Sequence, residues 1–316
     1  MNFTQNKMEN RIIENNKMSS FNDRFMNTAL VMSLPAEHAT VSYFDIEMDN
    51  KKDEKGYTSL SIKPFRQVIK VGSTETSSIS GLDTKEDLFS LHGINLDEQI
   101  ASALINEDFS SKSKKLAEIY FELGKESSND LYDRIMSKNW LTKLIKKYRK
   151  LNIPTYIESH EELTKKILVY SNLVGTNSRK GPAKFLLTNG RVCSELMDSA
   201  MFIFDSGIKT NESSHIGIQY KGHINGLEVF LDPYMEFNDN RIVLGRKTKE
   251  QEPGVIYGEY KNSLYRIDVA SLPPQEKISL LSNFLISKVG NSVKNNYICM
   301  NVEFNKKPLW QKLLKI

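Results

Sequence analysis

The chain has 316 residues, 39% hydrophobic and 26% charged, with a formal net charge of +4 and two cysteines. That length and apolar fraction support a sizeable core, in two domains or one large α+β unit, and no apolar run approaches the ~20 residues that cross a bilayer. Cys193 and Cys299 alone argue against a disulfide framework, and the small positive charge permits contact with nucleic acid without requiring it.

Residues 1–32 read as an arm: apolar residues are sparse and no period is sustained. It is either a disordered tail or an arm that orders on a partner. The first residues are polar and Asn-rich with no apolar signal core, which predicts a cytosolic site of synthesis. Residues 33–44 are mixed. Residues 45–56 crowd both charges and end at Gly56, as in an exposed loop or hairpin tip. Residues 57–71 alternate through Leu60, Ile62, Phe65, Val68 and Ile69, which predicts a long strand with Pro64 marking an edge or a bulge. The Ser/Thr-rich residues 73–80 read as a linker.

A short helical start over 86–91 is interrupted at His92-Gly93. Asn95 is then placed to cap a helix from Leu96, with Asp97 and Glu98 suited to its positive end. Leu96, Ile100, Leu104, Leu116, Ile119, Tyr120 and Leu123 keep helical spacing. Gly124 is the expected stop, which gives a rod of roughly 40 Å. A second helix is expected over 128–151, capped by Asp130, with Lys138, Lys143, Lys146, Lys147, Arg149 and Lys150 on its polar face and Pro154 beyond its end. A third is expected over 161–177.

Short strands are expected at 183–187 and 201–204, with a short helix at 190–197 between them. Strands at 216–220 and 227–231 flank Asn225-Gly226, a hairpin signal. Further strands are expected at 241–244, 255–260, 277–286 and 293–302. The tail from Pro308 to Ile316 is basic and amphipathic. There is no internal repeat and no heptad pattern.

Several motifs in this order resemble the major capsid proteins of T4-type tailed phages. In that family an opening of the form DL…HG(L/I)…E starts the long helix, and Asp87-Leu88, His92-Gly93 and Glu98 match it. Ser178-Arg179-Lys180-Gly181 with Phe185 matches the junction RRG…NF. Val229-Phe230-Leu231-Asp232-Pro233-Tyr234 matches a strand ending in DPY. Val243-Leu244-Gly245-Arg246-Lys247 and Gly254-Val255-Ile256-Tyr257 match two further strands, with Glu259-Tyr260 where the family has Pro-Tyr. The resemblance covers roughly 57–266.

The resemblance implies an α+β, HK97-like phage capsid fold. Its parts would be an N-terminal arm (1–32), an E-loop region (33–57), a P-domain strand and spine helix (58–160), an A-domain (161–275) and C-terminal strands and tail (276–316). It also implies a structural, non-enzymatic subunit, without cofactor, that self-assembles into hexamers and pentamers of an icosahedral head around dsDNA. The expected location is the virion, with assembly in the host bacterial cytoplasm. Expected partners are further copies and other head proteins, such as vertex, portal, scaffold or decoration proteins, with non-specific contact to packaged dsDNA and no membrane. The alternatives are a vertex protein of the same fold and a sequence-independent DNA-binding protein using the basic face at 138–150. Family members are often trimmed at the N-terminus, and Ile12-Ile13-Glu14 resembles a trimming motif.

The residues that carry chemistry elsewhere read blandly here. His38, His92, His160, His215 and His223 fall in no H-E-x-x-H frame. His215 and His223 flank one expected hairpin strand without a companion carboxylate or cysteine, so ordinary surface histidines are the stronger reading over a metal site. Cys193 paired with a histidine would suit a nucleophile, yet it sits on an apolar helical face, as a buried thiol does. Residues 175–181 lack the register of a phosphate loop. Trp310 would serve as a docking anchor or pack back on its own chain.

Overall fold

The computed structural model describes residues 24–34, 36–52, 58–136, 155–156, 160–205, 217–269 and 274–304; for 45–52, 58–62, 129–136 and 155–156 it describes backbone alone. The strands are β1 (Leu30–Ser33), β2 (His38–Lys52), β3 (Thr58–Lys70), β4 (Gly72–Gly81), β5 (Thr155–Tyr156), β6 (Phe185–Thr188), β7 (Phe202–Ile203), β8 (Gln219–Ile224), β9 (Leu227–Leu231), β10 (Arg241–Gly245), β11 (Gly254–Val269), β12 (Gln275–Val289) and β13 (Tyr297–Glu303). The helices are α1 (Leu82–His92), α2 (Leu96–Met136), α3 (His160–Ser178) and α4 (Gly190–Met197).

Helix α2 is the organising element. It runs unbroken for 41 residues, about 62 Å at 1.5 Å per residue. Asn95 caps it as the sequence predicts: its side chain accepts from Asp97 N–H at 3.2 Å and its carbonyl from Gln99 N–H at 3.3 Å. Gly93, at φ 66°, closes α1 by donating to Phe89 O at 2.9 Å, so the expected break stands, although α1 begins at Leu82.

The expected stop at Gly124 is overturned. A Cβ there would lie 3.1 Å from the Ile298 carbonyl carbon and the Cys299 nitrogen. Glycine permits β13 to cross the helix at close range and does not end it. Nor does a separate helix start near Ser128. Its hydroxyl sits within 2.8 Å of Gly124 O and 2.6 Å of Cys299 O and accepts from Cys299 N–H, which ties α2 to β13. The expected continuation over 137–151 lies outside the described residues.

Two sheets pack on this helix. The first has strand order β1-β11-β12-β4, the second β5-β13-β10-β6-β9-β8-β7. In the second, successive residues alternate between two cores. Phe185, Leu187, Phe230 and Val243 face Leu116, Ala117, Tyr120 and Leu123 of α2. Leu186, Val229, Ile242 and Leu244 face Leu163, Ile167 and Val174 of α3 and Val192 and Leu196 of α4. Strands buried on both faces carry continuous apolar runs, which is why Phe185–Thr188 shows no polar alternation.

The Ser/Thr-rich linker is in fact β4, paired from Gly72↔Phe284 to Gly81↔Gln275 along β12. Pairing to a long neighbour overrode a composition that reads as loop. Strand β11 is likewise longer than expected, because past a register shift at Glu259/Lys261 it continues from Lys261 to Val269 against Asn283 to Gln275 of β12. Val293–Asn296 forms a 3-10 turn, so β13 starts only at Tyr297. The Asn225-Gly226 hairpin is present, with φ 50° and 79°, but β8 occupies Gln219–Ile224 rather than 216–220.

The end of the expected arm belongs to the core. Phe25 and Met26 are buried against α2, and β1 pairs in parallel with β11. Residues 1–23 lie outside the described residues. Strands β2 and β3 form a two-stranded ribbon in which Pro64, opposite Phe44, meets the edge expectation. The charged residues expected as a loop continue β2 to Lys52.

Candidate assembly surfaces

Among the described residues the ribbon is seated at its base and, beyond it, its two strands pair only with each other. Ala39, Val41, Tyr43 and Ile69 pack on Leu34, Ile256, Leu285 and Val289. Tyr43 stacks on Phe65 at 5.6 Å, and Phe44 N–H donates to Gln251 O at 3.0 Å. Past Phe44 the ladder continues to Lys52↔Thr58, about 26 Å of two-stranded ribbon. An isolated pair of strands is marginal in water and gains order from what it lies against. The residues at its far end carry both signs, the acids Asp45, Glu47 and Asp49 followed by Lys51 and Lys52, which favours register and partner choice over raw affinity.

The spine helix is clamped by ionic and aromatic contacts. Lys112 Nζ, on a side chain only 2% exposed, lies 2.7 Å from Asp108 Oδ2 and 3.0 Å from Glu259 Oε1 on β11. Tyr257 donates to the same Glu259 oxygen. At the helix start Asp97 meets Lys85 at 2.5 Å and Arg266 at 3.1 Å, and Glu276 meets Lys85 as well. Further along, Tyr120 lies 2.8 Å from Thr28 Oγ1 and stacks on Tyr297 at 5.1 Å. Burial pushes the hydroxyls of both tyrosines up, that of Tyr297 to about 12.

The motif residues hold joints. Asp232 Oδ1 accepts from Tyr234 N–H at 2.9 Å, and the Tyr234 hydroxyl bonds Ser110 of α2. The Asp-Pro-Tyr ending of β9 is thus a turn fastened to the spine. Burial raises the Asp232 carboxyl despite that backbone bond. In the 178–181 junction Arg179 takes φ 56° and donates its N–H to Gly175 O at 2.8 Å, ending α3. Glu259, which departs from the family's Pro-Tyr, is the partner of Lys112. Nothing local signals that pairing, since the two residues stand 147 positions apart.

The histidines are dispersed. His223 Nε2 lies 2.6 Å from the Tyr220 hydroxyl, and His160 Nδ1 lies 2.9 Å from Glu195. His38 and His92 are exposed, and His215 lies outside the described residues. Among the described residues no group of three or more His, Cys, Asp or Glu is placed to hold a metal ion. Burial pushes the Cys193 thiol up to about 11 and Cys299 to about 12, which disfavours the nucleophilic thiolate. The basic face at 138–150, Ile12-Ile13-Glu14 and Trp310 lie outside the described residues. Within those residues no helix is long and apolar enough to cross a membrane.

A long spine helix bound to two sheets, with a paired-strand ribbon at one side, is the HK97-like capsid architecture. The chain belongs to the family described as Major capsid protein Gp23, which matches residues 2–267. That match begins well before the motifs at 57–266 and leaves β12 and β13 wholly beyond it. A chain of Microbacterium phage Oxtober96 is similar in fold at 7% identity, with a TM-score of 0.53, covering 89% of this chain and 91% of that one. The head structure of Helicobacter pylori bacteriophage KHP40 has 10% identity, a TM-score of 0.47 and 87% coverage of each chain. The capsid of Myoviridae phage XM1 has 9% identity, a TM-score of 0.46 and coverage of 89% and 91%. No curated protein matches the sequence.

Proposed function

We propose that this chain is the major capsid subunit of a tailed-phage head, forming six- and five-membered capsomers that tile an icosahedral shell around double-stranded DNA, with no catalytic step of its own. The observation that carries this reading is the unbroken 41-residue α2 clamped to both sheets in a chain of the Gp23 family. A subunit of this kind gains strength from repetition. Each heterologous contact is moderate after the entropy of association is met, and many such contacts per copy add up through multivalency.

In this reading the part of 1–32 before Phe25 supplies an arm, the part of 58–160 after β3 the P-domain, 161–275 the A-domain and 276–316 the closing strands. The E-loop is the whole β2–β3 ribbon, whose first strand, His38–Lys52, lies within 33–57. It lies across a neighbouring copy and adds strand pairing or charge pairs there. Assembly takes place in the host cytoplasm with other head proteins, and basic surfaces meet packaged DNA without reading its sequence. Sedimentation of the purified full chain tests this. Large particles that persist at high salt and without DNA support a shell, whereas a small species whose DNA affinity falls steeply with salt supports a DNA-binding protein.

A further inference from the structure

The β2–β3 ribbon changes its apolar side along its length. Over its base, Ala39, Val41, Tyr43 and Ile69 share one face and are buried on the body of the chain. Thr40, Ser42, Arg66 and Lys70 alternate with them and are exposed on the opposite face, as in a hairpin with one face in water. Past Tyr43 the pattern inverts. The seated face continues as Asp45 opposite Lys63 and Glu47 opposite Ser61. The other face continues as Phe44 opposite Pro64, Ile46 opposite Ile62 and Met48 opposite Leu60. Phe44 is 44% exposed, and Val68, nearer the base on this face, is 67% exposed.

The register is unbroken from His38↔Lys70 to Met48↔Leu60, so no bulge returns the apolar residues to the seated side. With a side-chain period of two, a change of phase in the sequence is a change of face in the ribbon. A ribbon built to stand in water carries polar residues on its outer face. This one does so at its base and abandons it from Phe44 onward, on the face turned away from its own seat. A contiguous apolar strip left in that position marks an interaction surface.

The size of the strip decides what covers it. From Phe44 to Met48 it runs about 14 Å, two strands wide. It supplies a small share of the roughly 20–30 residues that each side of a standard interface contributes. Such a strip cannot retain a partner that meets the chain nowhere else. It suits one already held by other contacts, and a shell supplies that partner in every adjoining copy.

Resting on the shell reading above, we propose that the ribbon beds on a second copy through this apolar strip, with Phe44, Ile46, Met48, Leu60 and Ile62 covered by that copy. The reverse face stays the wetter side, and its charges set register from the rim. The apolar rows also order the two strands, which gain little stability from each other alone.

The test compares maleimide labelling of the unassembled full chain and of its particles, with the native thiols Cys193 and Cys299 held unreactive by burial. In particles Met48→Cys should react about tenfold more slowly than in the free chain, whereas Glu47→Cys, on the reverse face, should keep its rate within about threefold. Leu60→Cys, opposite Met48, takes its place if Met48→Cys yields no particles. Loss of particles from both of these variants, with Glu47→Cys still assembling, points the same way. Equal protection of the two faces, protection of Glu47→Cys alone, or protection of neither would overturn the assignment and leave the shell intact. Absence of particles from the unaltered chain would instead overturn the shell reading, and this contact with it.

Discussion

Lys112 on the spine helix and Glu259 on β11 form an ion pair 3.0 Å long, with both side chains 2% exposed. Two buried charges of this kind fix the rotation of the helix on the sheet more than they stabilise it, because desolvation offsets much of their attraction. Removing one partner is another matter. Lys112→Met should cost about 3–5 kcal/mol, since Asp108 and Glu259 would be left buried and uncompensated. A combined Lys112→Met/Glu259→Gln/Asp108→Asn variant should recover a large part of that loss. Denaturant unfolding of the variants checks both.

Gly124→Ala should destabilise the fold although alanine favours a helix by about 1 kcal/mol over glycine. The added methyl meets Ile298 and Cys299 backbone at 3.1 Å, and relieving that overlap moves β13 away from the spine at about 1–3 kcal/mol. Thermal unfolding should show a lower midpoint. An unchanged or higher one would mean that β13 yields to the added methyl without loss.

Removal of residues 1–23 should leave a folded subunit, because among the described residues the core contacts begin at Arg24, which pairs with Asp205 at 2.9 Å, and at Phe25 and Met26. Removal of residues 1–33 should abolish folding, since it strips Phe25 from its edge contact with Tyr120, Thr28 from its hydrogen bond and β1 from β11. Circular dichroism of the two truncations distinguishes them. N-terminal sequencing of particles should find any trimming upstream of Arg24.

Alkaline pH should weaken the fold. Cys193, Cys299 and Tyr297 have folded-state values of about 11, about 12 and about 12, above ordinary values of 9.0, 9.0 and 10.0. A raised value means that the folded state holds its proton more tightly. Stability is therefore complete below about pH 9 and is lost as pH climbs through 9 to 12, by on the order of a few kcal/mol. A melting series over that range reads the slope. Both thiols should stay unreactive towards thiol reagents near neutral pH until the protein is unfolded.

Deletion of residues 50–55, which begins within the last residues of β2, should leave melting behaviour nearly unchanged and stop assembly. Normal particles from that variant would show that the ribbon is not the E-loop.

The spine helix was legible because one cap, Asn95, and one periodic face, Leu96 to Leu123, obey local rules. Its true length was not. Gly124 reads as a stop unless the crossing of β13 is known, and that contact joins residues far apart in the chain. The same reason hid β4: Ser and Thr give no alternating apolar face, and only β12 makes them a strand. The motif at Asp232 was recognisable as a pattern, while its work as a turn pinned to Ser110 required α2 and β9 to be brought together. Lys112 appeared as one more lysine on a helix. Helix α1 appeared only as a short helical start, since Phe89, Leu91 and Ile94 look like core residues until packing leaves them outside.

The most direct measurement is electron microscopy of the purified full-length chain and of the particles it forms. Closed shells in which six- and five-membered rings of this subunit share edges, each copy carrying one straight rod about 62 Å long across its body, are the predicted result. A protein that remains a lone globule at every concentration, or whose rod is broken between Leu96 and Met136, would contradict the account.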